Sequence, residues 1–207
     1  MKFKTEQESF WSGEFGDAYI ARNKSDQLLA TNLAFFSKAL ASANQPSSCV
    51  EFGANIGMNL QALRQLFPRQ ELAAVEINPA AVTELRKLLP YDQVFHSSIL
   101  DFQPSRLWDL VLIKGVLIHV NPDYLPLVYD KLFASCSRYL LVCEYYSPTP
   151  VALSYRGHTD RLFKRDFAGE LLDRYSELRL LDYGFIYHRD HNFPADDMTW
   201  FLLEKEI

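Results

Sequence analysis

The chain has 207 residues, enough for one domain with a sizeable core. Its formal net charge of −5 argues against a general nucleic-acid binder, although a local basic patch stays open. No segment is long and apolar enough to span a membrane, and the start, with Lys2, Lys4, Glu6 and Glu8, lacks the apolar core of a signal peptide. Cys49, Cys136 and Cys143 sit in apolar contexts without metal spacing. Reduced buried thiols in a cytoplasmic protein are expected, with no metal site.

In chain order, the first unusual segment runs from Phe10 to Asn23 and is dense in aromatics, glycines and polar side chains. Two readings stand: a docking segment that packs its rings on the core, or a lid with Tyr19, Arg22 and Asn23 facing inward. An arginine such as Arg22 can pair bidentately with a carboxylate. Ser25 to Ala43 follows with the apolar face of a helix, carried by Leu28, Leu29, Leu33, Phe36 and Leu40.

The most informative stretch is Glu51-Phe52-Gly53-Ala54-Asn55-Ile56-Gly57. Cys49, Val50 and Phe52 supply a buried strand end, Gly53 and Gly57 permit a sharp turn, and Met58 to Phe67 has helical spacing up to Pro68. Strand, glycine turn and helix form the nucleotide-cradling unit of doubly wound α/β folds. The third glycine of the dinucleotide fingerprint is missing, and an acid stands two residues before Gly53. A carboxylate there disfavours a phosphate and suits a cationic ligand group. The pattern E-x-G-x-x-x-G resembles motif I of class I S-adenosylmethionine (SAM)-dependent methyltransferases. The resemblance implies that Glu51, Gly53, Ala54, Asn55 and Gly57 hold the amino acid end of the cofactor.

Further elements follow the same order. Glu71 to Asn78 reads as a second strand, and the carboxylate of Glu76 at its end, beside Ile77, suits a ribose diol. Pro79 opens a helix over Ala80 to Leu89, closed by Pro90. Val94 to Phe102 reads as a third strand; the resemblance implies that Asp101 contacts the adenine amino group. Trp108 to Gly115 reads as the fourth strand, and its continuous apolar run suits a parallel strand buried on both faces. Lys114 and Gly115 then lead into Val116-Leu117-Ile118-His119-Val120-Asn121-Pro122, which is similar to the loop after strand four in small-molecule methyltransferases. Tyr124 to Ser135, Tyr139 to Glu144, Arg165 to Tyr175, Leu178 to Tyr187 and Thr199 to Glu204 complete the expected helices and strands. The resemblance implies a Rossmann-like α/β fold, with a mostly parallel seven-stranded sheet in the order 3-2-1-4-5-7-6 and helices on both faces. The cofactor would lie over the carboxyl ends of strands one and four.

Residues 145–165 lie where substrate-side insertions are common. The cations Arg156, Arg161, Lys164 and Arg165, with Tyr146, either receive an anionic acceptor or form a solvated surface. Together, W-x-G-x-F-G-x-x-Y-x-x-R-N, E-F-G-A-N-I-G and Y-R-G-H-x-D-R-L-F-K-R-D-F resemble the pseudaminic acid biosynthesis-associated methyltransferases nearly end to end. That resemblance implies a nonulosonic acid sugar, or its CMP-activated form, as acceptor in bacterial surface glycan biosynthesis. Chain 1–207 is then one methyltransferase domain, with 1–24 a lid-like segment.

Methyl transfer asks mainly for alignment and exclusion of water, plus a base for the acceptor's proton. His119 is the leading candidate base by position; a loop histidine satisfied by backbone is the alternative. His158, His188 and Glu144 are weaker candidates. Competing readings are another small-molecule acceptor, an RNA or protein methyltransferase, and a binding module without catalysis. No N/D-P-P-Y/F motif follows strand four, which weighs against adenine or cytosine amino methylation.

Overall fold

A computed structural model describes residues 3–22 and 25–206, leaving out the side chains of Ala21, Arg22 and His158. The strands of the main sheet are β1 (Ser48–Phe52), β2 (Glu71–Glu76), β3 (Val94–His96), β4 (Trp108–Lys114), β5 (Cys136–Glu144), β8 (Leu178–Ile186) and β9 (Met198–Lys205). They lie in the order β3-β2-β1-β4-β5-β9-β8. Counting main-sheet strands alone, this is the expected 3-2-1-4-5-7-6. The labels shift because β6 (Val151–Tyr155) and β7 (His158–Lys164) pair apart from the sheet as an antiparallel hairpin. β1 to β5 run parallel and β9 is antiparallel to both its neighbours.

The helices are α1 (Glu6–Ser12), α2 (Glu14–Arg22), α3 (Asp26–Ala39), α4 (Met58–Leu66), α5 (Pro79–Leu88), α6 (Leu125–Ser135) and α7 (Phe167–Arg174). Alternation along β4 explains the layering. Leu110 and Leu112 enter one core with Phe36 of α3, Leu63 of α4 and Leu85 of α5. Val111 and Ile113 enter the other with Val128 and Leu132 of α6 and Leu171 of α7. A strand apolar at every position therefore has helices on both sides. No helix of the described residues is long and apolar enough to cross a membrane.

Three expected elements take another form. The third strand stops at His96, because the following backbone turns back on itself. Ser98 is the pivot: its hydroxyl accepts from Leu100 N at 3.0 Å, and its carbonyl accepts from Asp101 N and Phe102 N. The leader is two short helices. Thr5 and Glu8 form a capping box at the start of α1, and Gly13 ends it. The third helix begins after Ser25, whose hydroxyl caps Leu28 N, and ends at Ala39, four residues short of Ala43.

Candidate active site

One cavity of about 410 Å³ lies over the carboxyl ends of β1, β2 and β4. This is where an open α/β sheet leaves a crevice. Its floor is the loop 53–57. Gly53 has φ +74, and a Cβ there would sit 2.6 Å from Val116 Cγ2, so a side chain is excluded by both conformation and space. Asn55 and Gly57 also have positive φ. Gly57 starts α4 without a side-chain cap, which leaves the helix's positive end toward the loop.

Two buried carboxylates shape this end. Glu51 is 1% exposed, and Asn59 Nδ2 donates to its Oε1 at 2.6 Å. Among the described residues Glu51 Oε2 and Asn59 Oδ1 have no donor. Burial raises the Glu51 pKa to about 8, against the opposing effects of Asn59 and Lys114. Such a buried pair suits an ammonium, which would supply the missing donors and the positive charge that lets Glu51 give up its proton. Glu76 sits in the cavity wall with its pKa raised by burial. Its two oxygens accept from Asn55 N and Asn78 N, each at 2.7 Å, tying the first loop to the second. A carboxylate oxygen accepts more than one hydrogen bond, so capacity remains for a hydroxyl pair.

The opposite end is aromatic. His119 stacks against Trp11 at 4.6 Å and Tyr155 at 4.9 Å, centroid to centroid. Its Nδ1 lies 2.6 Å from the carbonyl oxygen of Arg161. A carbonyl only accepts, so Nδ1 carries the hydrogen and Nε2 keeps a lone pair. Burial lowers the imidazole pKa to about 4, so the ring is neutral at pH 7. The turn carrying His119 is held by Glu144 at the end of β5. Its carboxylate accepts from Val116 N and Leu117 N, each at 2.9 Å, and burial raises its pKa to about 7. Glu144 is thus a clamp on the loop rather than an acid or base in the cavity.

The structure gathers Tyr19, Gly53, Ala54, Asn55, Glu76, Ile77, Lys114, Gly115 and His119 around the cavity. Glu51 and Gly57 are not in that wall: Glu51 lies directly behind it, hydrogen-bonded to the lining Asn59, and Gly57 starts α4. Asp101 is a correction: the turn at Ser98 swings its carboxylate to Lys4 at 2.5 Å, and Ser98, Ile99 and Leu100 face the cavity instead. The four expected acceptor contacts lie apart from the cavity. Tyr146 packs near Phe201, and Arg156 lies over Tyr155 at the hairpin turn. Arg161 pairs with Glu6 at 3.0 Å, and Lys164 lies over the ring of Tyr145. None of the four lines the cavity: the pairing of β6 with β7 turns Arg156, Arg161 and Lys164 outward or onto neighbours, and Tyr146 precedes the hairpin. His188 pairs with Asp197 at 2.8 Å, away from the cavity. Arg22 and His158 have side chains outside the described residues, as does Asn23 entirely. All three cysteines are buried and free, and the described residues hold no metal-ligand cluster.

The sequence reading missed Asn59, Ser98 and Asn78. Asn59 stands in the first turn after Gly57, where a polar side chain faces the strand ends, and that position was the available clue. Asn78 caps α5 through Oδ1, while its Nδ2 donates to Trp11 O and Asp17 Oδ1. That second role joins residues 61 or more apart in sequence and leaves no local trace.

No protein-family model matches the chain. Among curated proteins it is 27% identical over 121 residues to a tRNA1(Val) (adenine(37)-N6)-methyltransferase of Pedobacter heparinus, covering 48% of this chain and 52% of that protein. The chain thus spans about half the length of the curated relative it matches. Similar solved structures include magnesium protoporphyrin IX methyltransferase from Synechocystis with bound SAM, with a TM-score of 0.70, 13% identity and full coverage of both chains. Another is 1,6-didemethyltoxoflavin-N1-methyltransferase from Burkholderia thailandensis, with a TM-score of 0.72 and 13% identity over 97% of this chain and 87% of that one. The N-methyltransferase NodS of Bradyrhizobium japonicum has a TM-score of 0.63 and 13% identity over 89% of this chain and 99% of that one. The chain therefore has the Rossmann-like α/β fold of methyltransferases.

Proposed function

We propose that this protein is a SAM-dependent methyltransferase acting on a small molecule. The carrying observation is the unmet acceptor pair, Glu51 Oε2 and Asn59 Oδ1, buried beside a phosphate-averse glycine loop. These atoms would take the ammonium of the cofactor, Glu76 its ribose hydroxyls, and Ser98 to Leu100 the region of its base. When bound, the cofactor supplies an electrophilic methyl group. The chain's own part is to orient the acceptor, exclude water and receive a proton at His119 Nε2. Residues 3–22 serve as the cover of this site, since Trp11, Gly16 and Tyr19 lie against the cavity.

The finer reading is an acidic nine-carbon sugar of the nonulosonic type, or its CMP-activated form, made for a bacterial surface glycan. The end-to-end motif resemblance supports it, and Arg156, exposed at the hairpin turn, is compatible with steering an acid toward the mouth. An RNA acceptor has the Pedobacter relative in its favour, against a net charge of −5 and the missing N/D-P-P-Y/F motif.

The test is a radiolabelled methyl-transfer assay with SAM against nonulosonic acids, their CMP forms, neutral sugars and bulk RNA. Labelling of an acid sugar is the expected result. Labelling of RNA alone overturns the acceptor assignment, and absence of SAM binding overturns the function. Glu76→Ala should weaken SAM binding in a parallel titration; an unaltered affinity would sink the ribose assignment.

A further inference from the structure

The proton on His119 depends on a backbone carbonyl from a distant hairpin. That carbonyl belongs to Arg161, one residue after Asp160, which sits in the left-handed region at φ +55. A non-glycine residue there holds that conformation only when something else fixes it. Gln7 of α1 does so: its Nε2 donates to Asp160 O at 2.9 Å across 153 positions of sequence. Gln7 is buried, and α1 is itself locked on the far side by the hydrogen bond from Ser98 to Glu8. Next along α1, Trp11 packs on the His119 ring. One short helix therefore touches the loop after β3, strand β7 of the hairpin and the imidazole.

We propose that Gln7 is a positioning residue, which fixes the Asp160–Arg161 backbone and thereby decides which nitrogen of His119 carries the proton. With the Arg161 carbonyl in place, Nδ1 is the donor and Nε2 is the acceptor. With that stretch of β7 free to move, the two tautomers of a neutral imidazole come closer in energy and Nε2–H appears. A ring protonated at Nε2 cannot accept a proton there. The Glu6–Arg161 pair contributes little to this fixation, because solvent screens its exposed Glu6 end. The catalytic consequence rests on the role proposed for His119; the tautomer itself does not.

The experiment is nitrogen-15 NMR of the imidazoles in the full chain at pH 7, with His119 assigned by its loss in His119→Ala. In the wild-type protein His119 should be protonated at Nδ1 and bare at Nε2. Gln7→Met, or Gln7→Leu in a stiffer side chain, should shift the tautomer ratio roughly fivefold toward Nε2–H, as expected for one lost hydrogen bond. Glu6→Gln should leave the ratio unchanged. A wild-type ring protonated at Nε2 overturns the proposal before any variant is made. So does a wild-type tautomer ratio in a folded Gln7 variant, or a Glu6→Gln shift as large as that of Gln7→Met. Methyl-transfer failure with an intact tautomer shift would instead fault the role of His119.

Discussion

The two ends of the cavity are built in opposite ways. The end under β1, β2 and α4 uses residues close in sequence to strand ends: Glu51, Gly53, Asn55, Asn59, Glu76. Its polar atoms bond to the next loop or wait for a ligand. The end around His119 is assembled from α1, the turn after β4 and the hairpin, with contacts spanning 42 to 153 positions. On the proposed function, the first end would hold the cofactor and the second would receive the acceptor. Conformation and charge dominate at the first, aromatic packing and one oriented imidazole at the second.

Substitutions at the two ends should therefore separate binding from turnover. The largest expected effect is at the aromatic end. His119→Ala should lower turnover roughly hundredfold or more, the usual worth of a positioned base, while SAM affinity stays the same. Unchanged turnover removes His119 from the chemistry. At the other end, Gly53→Ala meets both a positive φ and the side chain of Val116. Thermal or denaturant unfolding should show a loss of about 3 kcal/mol, together with weakened SAM binding.

A smaller effect is the opposite pH response of the two ends. His119 is folded with a pKa lowered to about 4 from 6.5. The unfolded chain thus binds a proton that the native one refuses, and stability falls as pH drops from 6.5 to 4. Glu51 is folded with a pKa raised to about 8 from 4.5. There the native state keeps a proton the unfolded chain releases, so stability is full below 4.5 and lost as pH rises toward 8. Against wild type, His119→Phe should flatten the acid limb by about 2 kcal/mol, and Glu51→Gln the limb toward pH 8 by a similar amount. Parallel stability–pH curves for wild type and variant would contradict either assignment.

The strands and the glycine loop were legible because they rest on local patterns: an apolar run at Leu110–Ile113, an acid two residues before Gly53; the order of the strands came from the family resemblance. Gly53, Ala54, Asn55, Glu76, Lys114 and Gly115, which line the cavity, followed from the same strand ends. Asp101 was misplaced because one hydroxyl, Ser98, captures the backbone and ends the strand early. Arg156, Arg161 and Lys164 read as an acceptor platform because charge is visible in a sequence, while the self-pairing of the hairpin that turns them away is not. The link from Gln7 to the His119 ring passes through two carbonyls, and carbonyls are the same in every residue.

The smallest expected effect follows from that correction. Arg156→Ala should change stability by less than about 0.5 kcal/mol and leave SAM affinity intact, since the side chain is exposed at the hairpin turn. A rise in the acceptor KM alone would show that it steers the acid at the mouth. A loss of SAM binding would break the division between the two ends.

The central claim is that the unmet acceptors beside the glycine loop are a receptor for the cofactor's ammonium. Calorimetric titration of SAM into wild type and Glu51→Gln tests it most directly. Gln keeps the shape and can still accept from Asn59, but it turns an amide donor toward the ligand. One saturable site in wild type, weakened roughly 10- to 100-fold in a variant that is at least as stable at pH 8, is the predicted result. Equal affinity in both proteins, or no binding in either, would contradict it.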